Sequence, residues 1–223
     1  SRCRSGSRRP GPNMSATRVA GDISLRQKSK DAITEQEVRE YKLTGCPSIG
    51  ACTFLGTSST MQCMAEALGL ALPGAALIPA TMRDILSWAR RAGRIIMKLA
   101  REDIRPGRIM TDKAFANAMM VHSAIGGSTN GVIHLTSIAR ELGIELLPEM
   151  FDEINHKVPH IGNIAPGGSH LTEAFWFAGG VPMVELALKA MLNLAVMTVT
   201  GKPLGKIWTI CRGMAFLTHI AEI

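Results

Sequence analysis

The sequence predicts one domain that is mostly α-helical and contains little β-strand. Apolar residues recur at the three- and four-residue spacing of a helix in several separate segments of the chain. Ser or Thr precedes several of these segments and Gly or Pro follows them, as at helix ends. The β-favouring stretch at residues 196–199 is long enough only for a brief strand. Since 46% of the 223 residues are hydrophobic, a substantial core is expected.

The predicted helices are short and are separated by glycines and prolines. They lie at 33–41 with Thr34 as N-cap, at about 61–68, from Thr81, from Thr111, from Ser128 or Thr129, and around 150–155, 173–177 and 184–192. Two of them carry clear apolar faces, which are candidate core surfaces. One face consists of Ile85, Trp88, Ala92, Ile95, Ile96 and Leu99, and the other of Ala114, Ala118, Val121 and Ile125.

The formal charge of +7 overstates how basic the body of the chain is. Four arginines, Arg2, Arg4, Arg8 and Arg9, lie within residues 1–13, which contain no acidic and no large apolar residue. Nucleic-acid binding usually needs basic residues on a folded face together with aromatic residues for stacking, and aromatics make up only 4% of this chain. A nucleic-acid partner is therefore not expected.

Membrane insertion and a disulfide framework are not expected either. The apolar run at 43–82 has Glu66 as its single charged residue, but Gly, Pro, Ser and Thr interrupt it too often for a membrane span. The five cysteines are odd in number and contain no Cys-x-x-Cys pair. A reducing cytoplasm is therefore the expected location.

Cys52 is the first candidate for chemistry. It lies among small residues just ahead of a predicted helix, and a helix N-terminus favours the thiolate form of a cysteine. A thiolate at this position can bind iron or act as a nucleophile. A buried cysteine that packs as a small hydrophobic residue is the competing interpretation, and the residues alone favour it.

The second candidate is the Gly126-Gly127 turn with Ser128, Thr129 and Asn130. Glycines before a helix start leave backbone N–H groups free for a carboxylate or phosphate, so these residues are candidate substrate-binding residues. An ordinary helix–helix turn is the simpler alternative. His122 and His134 flank the turn and could orient a ligand, although a histidine among apolar residues is usually a satisfied core residue.

Several ordered blocks of sequence are more specific than either motif alone. The first block reads TGCPSIGACTFLGTSSTMQ from residue 44, and AEALGLALPG follows from residue 65. Later blocks are KAFANA at 113–118, GGSTN at 126–130, HKVP at 156–159, FAGGVP at 177–182 and TVTG at 198–201. Over residues 44–205, this order resembles the iron–sulfur dehydratases that act on dihydroxy acids, phosphogluconate and sugar acids.

The resemblance implies that Cys52 is the last of three separated cysteines that bind a 2Fe-2S or 4Fe-4S cluster. In the family, the cluster acts as a Lewis acid on the departing C3 hydroxyl, and Mg²⁺ binds the substrate carboxylate and C2 hydroxyl. The implied activity is that of a hydro-lyase that forms a 2-keto-3-deoxy acid. Ile49 stands where biosynthetic dihydroxy-acid dehydratases commonly have cysteine, which favours the sugar-acid branch.

The resemblance also implies a longer protein. Intact relatives have a layered α/β domain followed by a β-rich domain, and their other cluster cysteines and Mg²⁺ ligands precede the position of residue 44. Cys3 and Cys46 do not match those cysteines. We therefore expect an irregular basic segment with a short helix at 1–43, a partial N-terminal dehydratase domain at 44–205 and an unmatched tail at 206–223. As a truncated or frameshifted product, the chain alone is expected to be inactive.

Two further hypotheses stay open beside the dehydratase. One is a non-enzymatic helical interaction module that forms a homo-oligomer or pairs with a full-length relative, because apolar surface left without its sheet partners favours association. The other is a domain that binds a small carboxylate through the turn at 126–130. All three hypotheses predict a small-molecule acid or a protein as the partner, not a membrane or a nucleic acid.

Overall fold

The computed structural model describes residues 34–36, 39 and 52–208. Within 52–208 the chain forms eight α-helices, followed by a 3₁₀ turn at Leu204–Lys206. The helices are α1 (Thr57–Ala67), α2 (Asp84–Arg101), α3 (Pro106–Ile109), α4 (Asp112–Ile125), α5 (Asn130–Glu141), α6 (Pro148–Asn155), α7 (Thr172–Phe177) and α8 (Gly180–Ala187). This range contains isolated bridges but no β-strand, so the predicted mostly helical fold is confirmed.

Helix α4 is the centre of the main core and packs against α1, α5, α6 and α8. Thr111 caps its start as predicted, since the Thr111 hydroxyl accepts a hydrogen bond from Ala114 N at 3.4 Å. Gly126 ends the helix in the left-handed conformation, with φ of 65°. The predicted apolar face is confirmed, because Ala114, Ala118, Val121 and Ile125 are all buried.

Helix α2 lies at the edge of the fold and buries little of its apolar face. Leu99 is buried against Leu72, Ile109 and Val199 in a second, smaller cluster. Ile96, by contrast, is 60% exposed, although it belongs to the same predicted face. An apolar groove of about 410 Å³ separates this face from the loop at 70–78. The apolar pattern of α2 therefore identified the helix but not how completely it would be covered.

Three local predictions were wrong. Residues 196–199 form no strand; Met197 makes an isolated bridge with Pro203, because the chain turns back on itself within a few residues. Thr81 caps no helix, because α2 begins three residues later with Arg83 at its N-cap. The helix predicted at 184–192 begins and ends earlier, at 180–187, and the glycines at its N-cap and first position, 179 and 180, both have positive φ.

Other predictions fall largely outside the described residues. Thr34 is described and precedes Glu35 and Gln36, which are helical, as is Arg39, but the other residues of the predicted helix at 33–41 lie outside that part, as do residues 1–13 and 209–223. No helix of the described residues has both the length and the hydropathy needed to cross a membrane.

Candidate cysteine site at the start of helix α1

Cys52 is a partly buried free cysteine, five residues before helix α1 begins at Thr57. Two side-chain hydroxyls from different parts of the chain hold its backbone. Ser59 Oγ donates a hydrogen bond to the Cys52 carbonyl at 3.1 Å, and Thr172 Oγ1 donates to the same oxygen at 3.3 Å. The Cys52 peptide is therefore fixed by the first turn of α1 and by the first residue of α7.

The segment between Cys52 and α1 is held by further backbone bonds. Thr172 N donates to Thr53 O at 2.9 Å, and Leu55 N donates to Ala165 O at 2.6 Å. Gly56 then occupies the N-cap position with an extended backbone and without a side-chain cap. Residues 53–56 thus form a short loop that is tied to two neighbouring segments.

The turn at 126–130 lies against the same helix start. Asn130 Nδ2 donates a hydrogen bond to Thr57 Oγ1 at 2.6 Å, and Ser128 N donates to Thr60 Oγ1 at 3.0 Å. Both contacts join the N-terminus of α5 to the first turn of α1, about 70 residues earlier in the chain. The structure therefore brings together the two regions that the sequence identified separately as candidate sites.

The expectation that the turn leaves free glycine amides for an anion is wrong. Gly126 N and Gly127 N donate to Ser123 O and His122 O, so the C-terminus of α4 takes both amides. Asn130 N lies 3.4 Å from Ser128 Oγ, which accepts a hydrogen bond from it. What the turn offers to a ligand is side chains: Thr129 and Asn130 are exposed, and Ser128 is partly exposed. Their role in substrate binding stays a prediction.

His122 explains the glycines of the turn. Its ring is buried, its Nε2 lies 2.9 Å from Ser128 O, and it packs edge-on against Phe151. A Cβ on Gly127 would lie 2.5 Å from His122 Cδ2, and one on Gly131 would lie 2.8 Å from Nε2. Both positions therefore need glycine to make room for the ring. Burial lowers the pKa of His122, and the bond to Ser128 partly opposes this effect.

The other ionisable groups near α1 belong to the core. Cys63 is fully buried, and burial together with the charge of Glu66 raises the pKa of its thiol well above the usual value. The Glu66 carboxylate accepts hydrogen bonds from Gly74 N and from Ala76 N, and burial raises its pKa to about 7. Burial and the charge of Glu66 also raise the pKa of Glu185. All three side chains are buried in the core and are not open to a ligand.

The side chains that could bind a metal ion show how much of a metal site the described residues contain. In the part of the chain that the structure describes, no three His, Cys, Asp or Glu side chains cluster closely enough to hold a metal ion. Cys52 has the accessibility that one ligand of an iron–sulfur cluster needs, whereas the buried thiol of Cys63 does not. Residues 52–208 therefore fit a cluster through one ligand and do not supply the whole set.

Comparison with known proteins gives the same family as the motifs. The sequence model described as "Dihydroxy-acid/6-phosphogluconate dehydratase N-terminal" matches residues 5–207. The chain belongs to this dehydratase family. The resemblance stated from the sequence blocks is confirmed, and the match extends to residues ahead of the first block.

Three similar relatives within the dehydratase family are each named dihydroxy-acid dehydratase. The chain is 43% identical over 172 residues to a dihydroxy-acid dehydratase of Acetivibrio thermocellus, a match that covers 76% of this chain and 31% of the relative. It is 42% identical over 180 residues to that of Caldicellulosiruptor bescii, with coverages of 80% and 33%. For Ignicoccus hospitalis the identity is 44% over 175 residues, with coverages of 78% and 32%. The chain thus spans about a third of the length of these curated relatives.

The residues that fix the site were not apparent from the sequence. Ser59 and Thr60 are completely buried, and Thr172 is 7% exposed, yet all three place their hydroxyls on the two candidate motifs. The run of hydroxyl residues at 57–60, directly after the loop that carries Cys52, was a usable signal for two of them. Nothing local to Thr172 indicated a partner 120 residues earlier.

Proposed function

We propose that this chain is part of a hydro-lyase that removes water from a 2,3-dihydroxy or sugar acid to give a 2-keto-3-deoxy acid. The observation that carries the proposal is the placement of Cys52. The residue is a partly exposed free cysteine, its peptide is fixed by Ser59 and Thr172, and the turn with Asn130 lies at the start of the helix that follows it. Membership of the dehydratase family supports this activity for the longer protein.

The reaction removes a proton from C2 and a hydroxide from C3, and the resulting enol becomes the 2-keto acid. Hydroxide is a poor leaving group, so the reaction needs a group that takes up the developing negative charge. An iron–sulfur cluster, when bound, supplies a Lewis acid for that purpose. Among the described residues, Cys52 would be one of its ligands, and the remaining ligands and a Mg²⁺ site would come from outside 52–208.

The residues of the turn would then orient the substrate. Ser128 and Thr129 offer hydroxyls and Asn130 offers an amide at the surface beside Thr57, and these groups suit the carboxylate and hydroxyls of a sugar acid. The interaction of Asn130 with Thr57 leaves the second N–H of the amide and its carbonyl available to a substrate. We propose Ser128, Thr129 and Asn130 as substrate-binding residues on this basis.

Two finer points complete the proposal. First, the chain alone is inactive, because one cluster ligand in the described part does not hold a cluster. Second, the substrate is a sugar acid, because Ile49 and the TFLGT sequence at 53–57 favour that branch. The proposed location is the cytoplasm, where a free thiol such as that of Cys52 stays reduced.

A chimeric enzyme tests the activity. In it, the 180-residue segment matched in the Caldicellulosiruptor bescii dihydroxy-acid dehydratase is replaced by the corresponding segment of this chain. After anaerobic loading with iron, sulfide and Mg²⁺, keto-acid formation is measured with a 2,3-dihydroxy acid and with an aldonic acid. We expect turnover, faster on the aldonic acid, and none from the chain alone. A folded, iron-loaded chimera that dehydrates neither acid contradicts the proposed activity, and preference for the dihydroxy acid contradicts the proposed substrate.

A second candidate function is association with the rest of a dehydratase supplied by another polypeptide. Exposed apolar side chains on α2 and α5, such as Leu86 at 59%, Ile96 at 60% and Ile133 at 64%, favour it. The chain would then act as a helical interaction module without activity of its own. Co-purification of the chain with a full-length relative tests this candidate, and failure to co-purify from a strain that expresses both proteins contradicts it.

A further inference from the structure

The Cys52 carbonyl receives two hydroxyl donors from segments that are distant in sequence. Ser59 Oγ lies 3.1 Å and Thr172 Oγ1 3.3 Å from this oxygen, and the two donors are buried or nearly so. A carbonyl oxygen has two lone pairs, so both hydroxyls can donate at once. This peptide is therefore anchored in two directions, while Cys52 as a residue stays partly exposed.

Thr172 makes a second contact with the same loop. Its backbone N–H donates to Thr53 O at 2.9 Å, so one residue at the start of α7 binds two consecutive carbonyls of the cysteine loop. The far end of α7 is fixed as well, because Trp176 Nε1 donates to Gly74 O at 3.1 Å. Gly74 is in turn bound to the Glu66 carboxylate at the end of α1. Helix α7 is thus linked to both ends of α1. Its first residue and the first turn of α1 both contact the cysteine loop.

Within the part of the chain that the structure describes, both hydroxyls hydrogen-bond to the Cys52 loop and to no other group. Ser59 is the third residue of α1, and the N-cap position, from which a side chain could cap the helix, belongs to Gly56. Ser59 reaches back to Cys52, and the helix start has no side-chain cap. Thr172 likewise uses its hydroxyl on the loop, 120 residues earlier, and not on α7.

We propose that Ser59 and Thr172 are positioning residues for Cys52, which hold its peptide in a fixed conformation and so present the thiol as a ready-made cluster ligand. The inference rests on the proposed role of Cys52 as a ligand. A ligand fixed before the cluster arrives avoids the ordering cost that a mobile loop would incur on binding. Because Ser59 belongs to α1 and Thr172 to α7, the thiol is placed correctly only when these two helices are packed together.

The test uses the full chain with Cys3, Cys46 and Cys211 changed to Ser, so that Cys52 and the buried Cys63 are the remaining thiols. Alkylation of Cys52 by iodoacetamide and hydrogen exchange of the amides at 53–55 are followed by mass spectrometry. Thr172→Val removes the hydroxyl at constant shape, Thr172→Ser restores it, and Ser59→Ala removes the other donor. Ser137→Ala is the matched control, since Ser137 Oγ donates to Ile133 O on the exposed side of α5.

We expect Thr172→Val and Ser59→Ala each to raise exchange at 53–55 about five-fold, the effect of losing one ordinary hydrogen bond. The rate of Cys52 alkylation should rise in parallel, while exchange in α4 stays unchanged. Thr172→Ser should return both the exchange rate and the alkylation rate toward those of the parent. Wild-type exchange and alkylation in Thr172→Val would overturn the proposal. These measurements involve no cluster, so their result does not depend on the proposed function. The proposed function is tested separately, by the iron content and turnover of the chimera.

Discussion

Asn130 Nδ2 donates a hydrogen bond of 2.6 Å to Thr57 Oγ1 and so joins the start of α5 to the start of α1. These two residues belong to the two motifs that the sequence suggested as separate sites. Their contact places the exposed side chains of the 126–130 turn beside the helix that Cys52 precedes. The start of α1 is therefore the place where the two distant segments that carry the candidate residues are joined.

The bond between Asn130 and Thr57 should be measurable as a coupling energy. Asn130→Ala, Thr57→Val and the double variant form a double-mutant cycle in urea unfolding. Because Asn130 is exposed, we expect a coupling of about 0.5 kcal/mol, at the low end for hydrogen bonds. Pairing Asn130→Ala with Ser137→Ala, on the outer side of α5, should give no coupling. A cycle that closes to zero for Asn130 and Thr57 would show that their contact contributes nothing.

Glycine substitutions should separate the positions that face His122 from an open one. Gly127→Ala should lower the free energy of unfolding by roughly 1–3 kcal/mol, because the new methyl would lie 2.5 Å from a ring that Ser128 and Phe151 hold in place. Gly93→Ala in α2 is the control: nothing lies within 4 Å of its Cβ position, so it should stabilise by about 0.5–1 kcal/mol. Equal effects in urea unfolding would contradict this account of the turn.

The stability of the fold should fall as pH rises through the window set by Glu66. Burial raises the pKa of Glu66 from 4.5 to about 7, so between these values the folded protein holds a proton that the unfolded chain has released. The free energy of unfolding therefore decreases with pH there, by roughly 1.4 kcal/mol per unit at most for this group. The raised pKa of Glu185 acts in the same direction, and the lowered pKa of His122 acts in the opposite one below pH 6.5.

Glu66→Gln separates these contributions. The variant loses the titrating group and also the charge that raises the pKa of Glu185, so its stability should vary less between pH 5 and pH 7.5 than that of the wild type. Gly74 N and Ala76 N donate to different oxygens of Glu66, so Gln would place its amide N–H groups against one of these two donors, and a uniform loss of stability is also expected. Urea unfolding at the two pH values measures both effects. Parallel pH profiles for the two proteins would exclude Glu66 as the source.

The open face of α2 should promote self-association. Ile96 is 60% exposed on the rim of the apolar groove, so Ile96→Glu should reduce the proportion of oligomer or aggregate at a given concentration. Ser87→Glu adds the same charge to an exposed position of the same helix without removing an apolar side chain, and should have a smaller effect. Sedimentation velocity compares the two. Equal distributions would assign any change to net charge and not to the apolar face.

The sequence predicted those features that depend on neighbours along one helix. The apolar face of α4 and the cap at Thr111 were predicted correctly, because periodicity and capping are local properties. The same reasoning identified α2 but could not show that Ile96 stays exposed, since a periodic pattern does not reveal what covers a face. Residues 196–199 have strand-forming side chains, but they turn back on Pro203 and find no strand to pair with.

The site was predictable in part for the same reason. Cys52 and the turn at 126–130 stood out through small residues and glycines, but the bonds that place the turn at the start of α1 join residues 68 and 73 positions apart. The glycines themselves were misinterpreted. Gly127 leaves room for the ring of His122, whereas Gly126 ends α4 with a positive φ, and the space requirement at Gly127 becomes visible only when the packing around the ring is known.

The role of Cys52 as a cluster ligand is tested most directly by the iron and acid-labile sulfide that the chimeric enzyme retains after anaerobic loading and gel filtration. The comparison is between the parent chimera, Cys52→Ala and Cys63→Ala, the last of which removes a fully buried thiol. We expect the parent and Cys63→Ala to retain similar iron and sulfide, and Cys52→Ala to lose most of both. Full retention in Cys52→Ala would contradict the assignment.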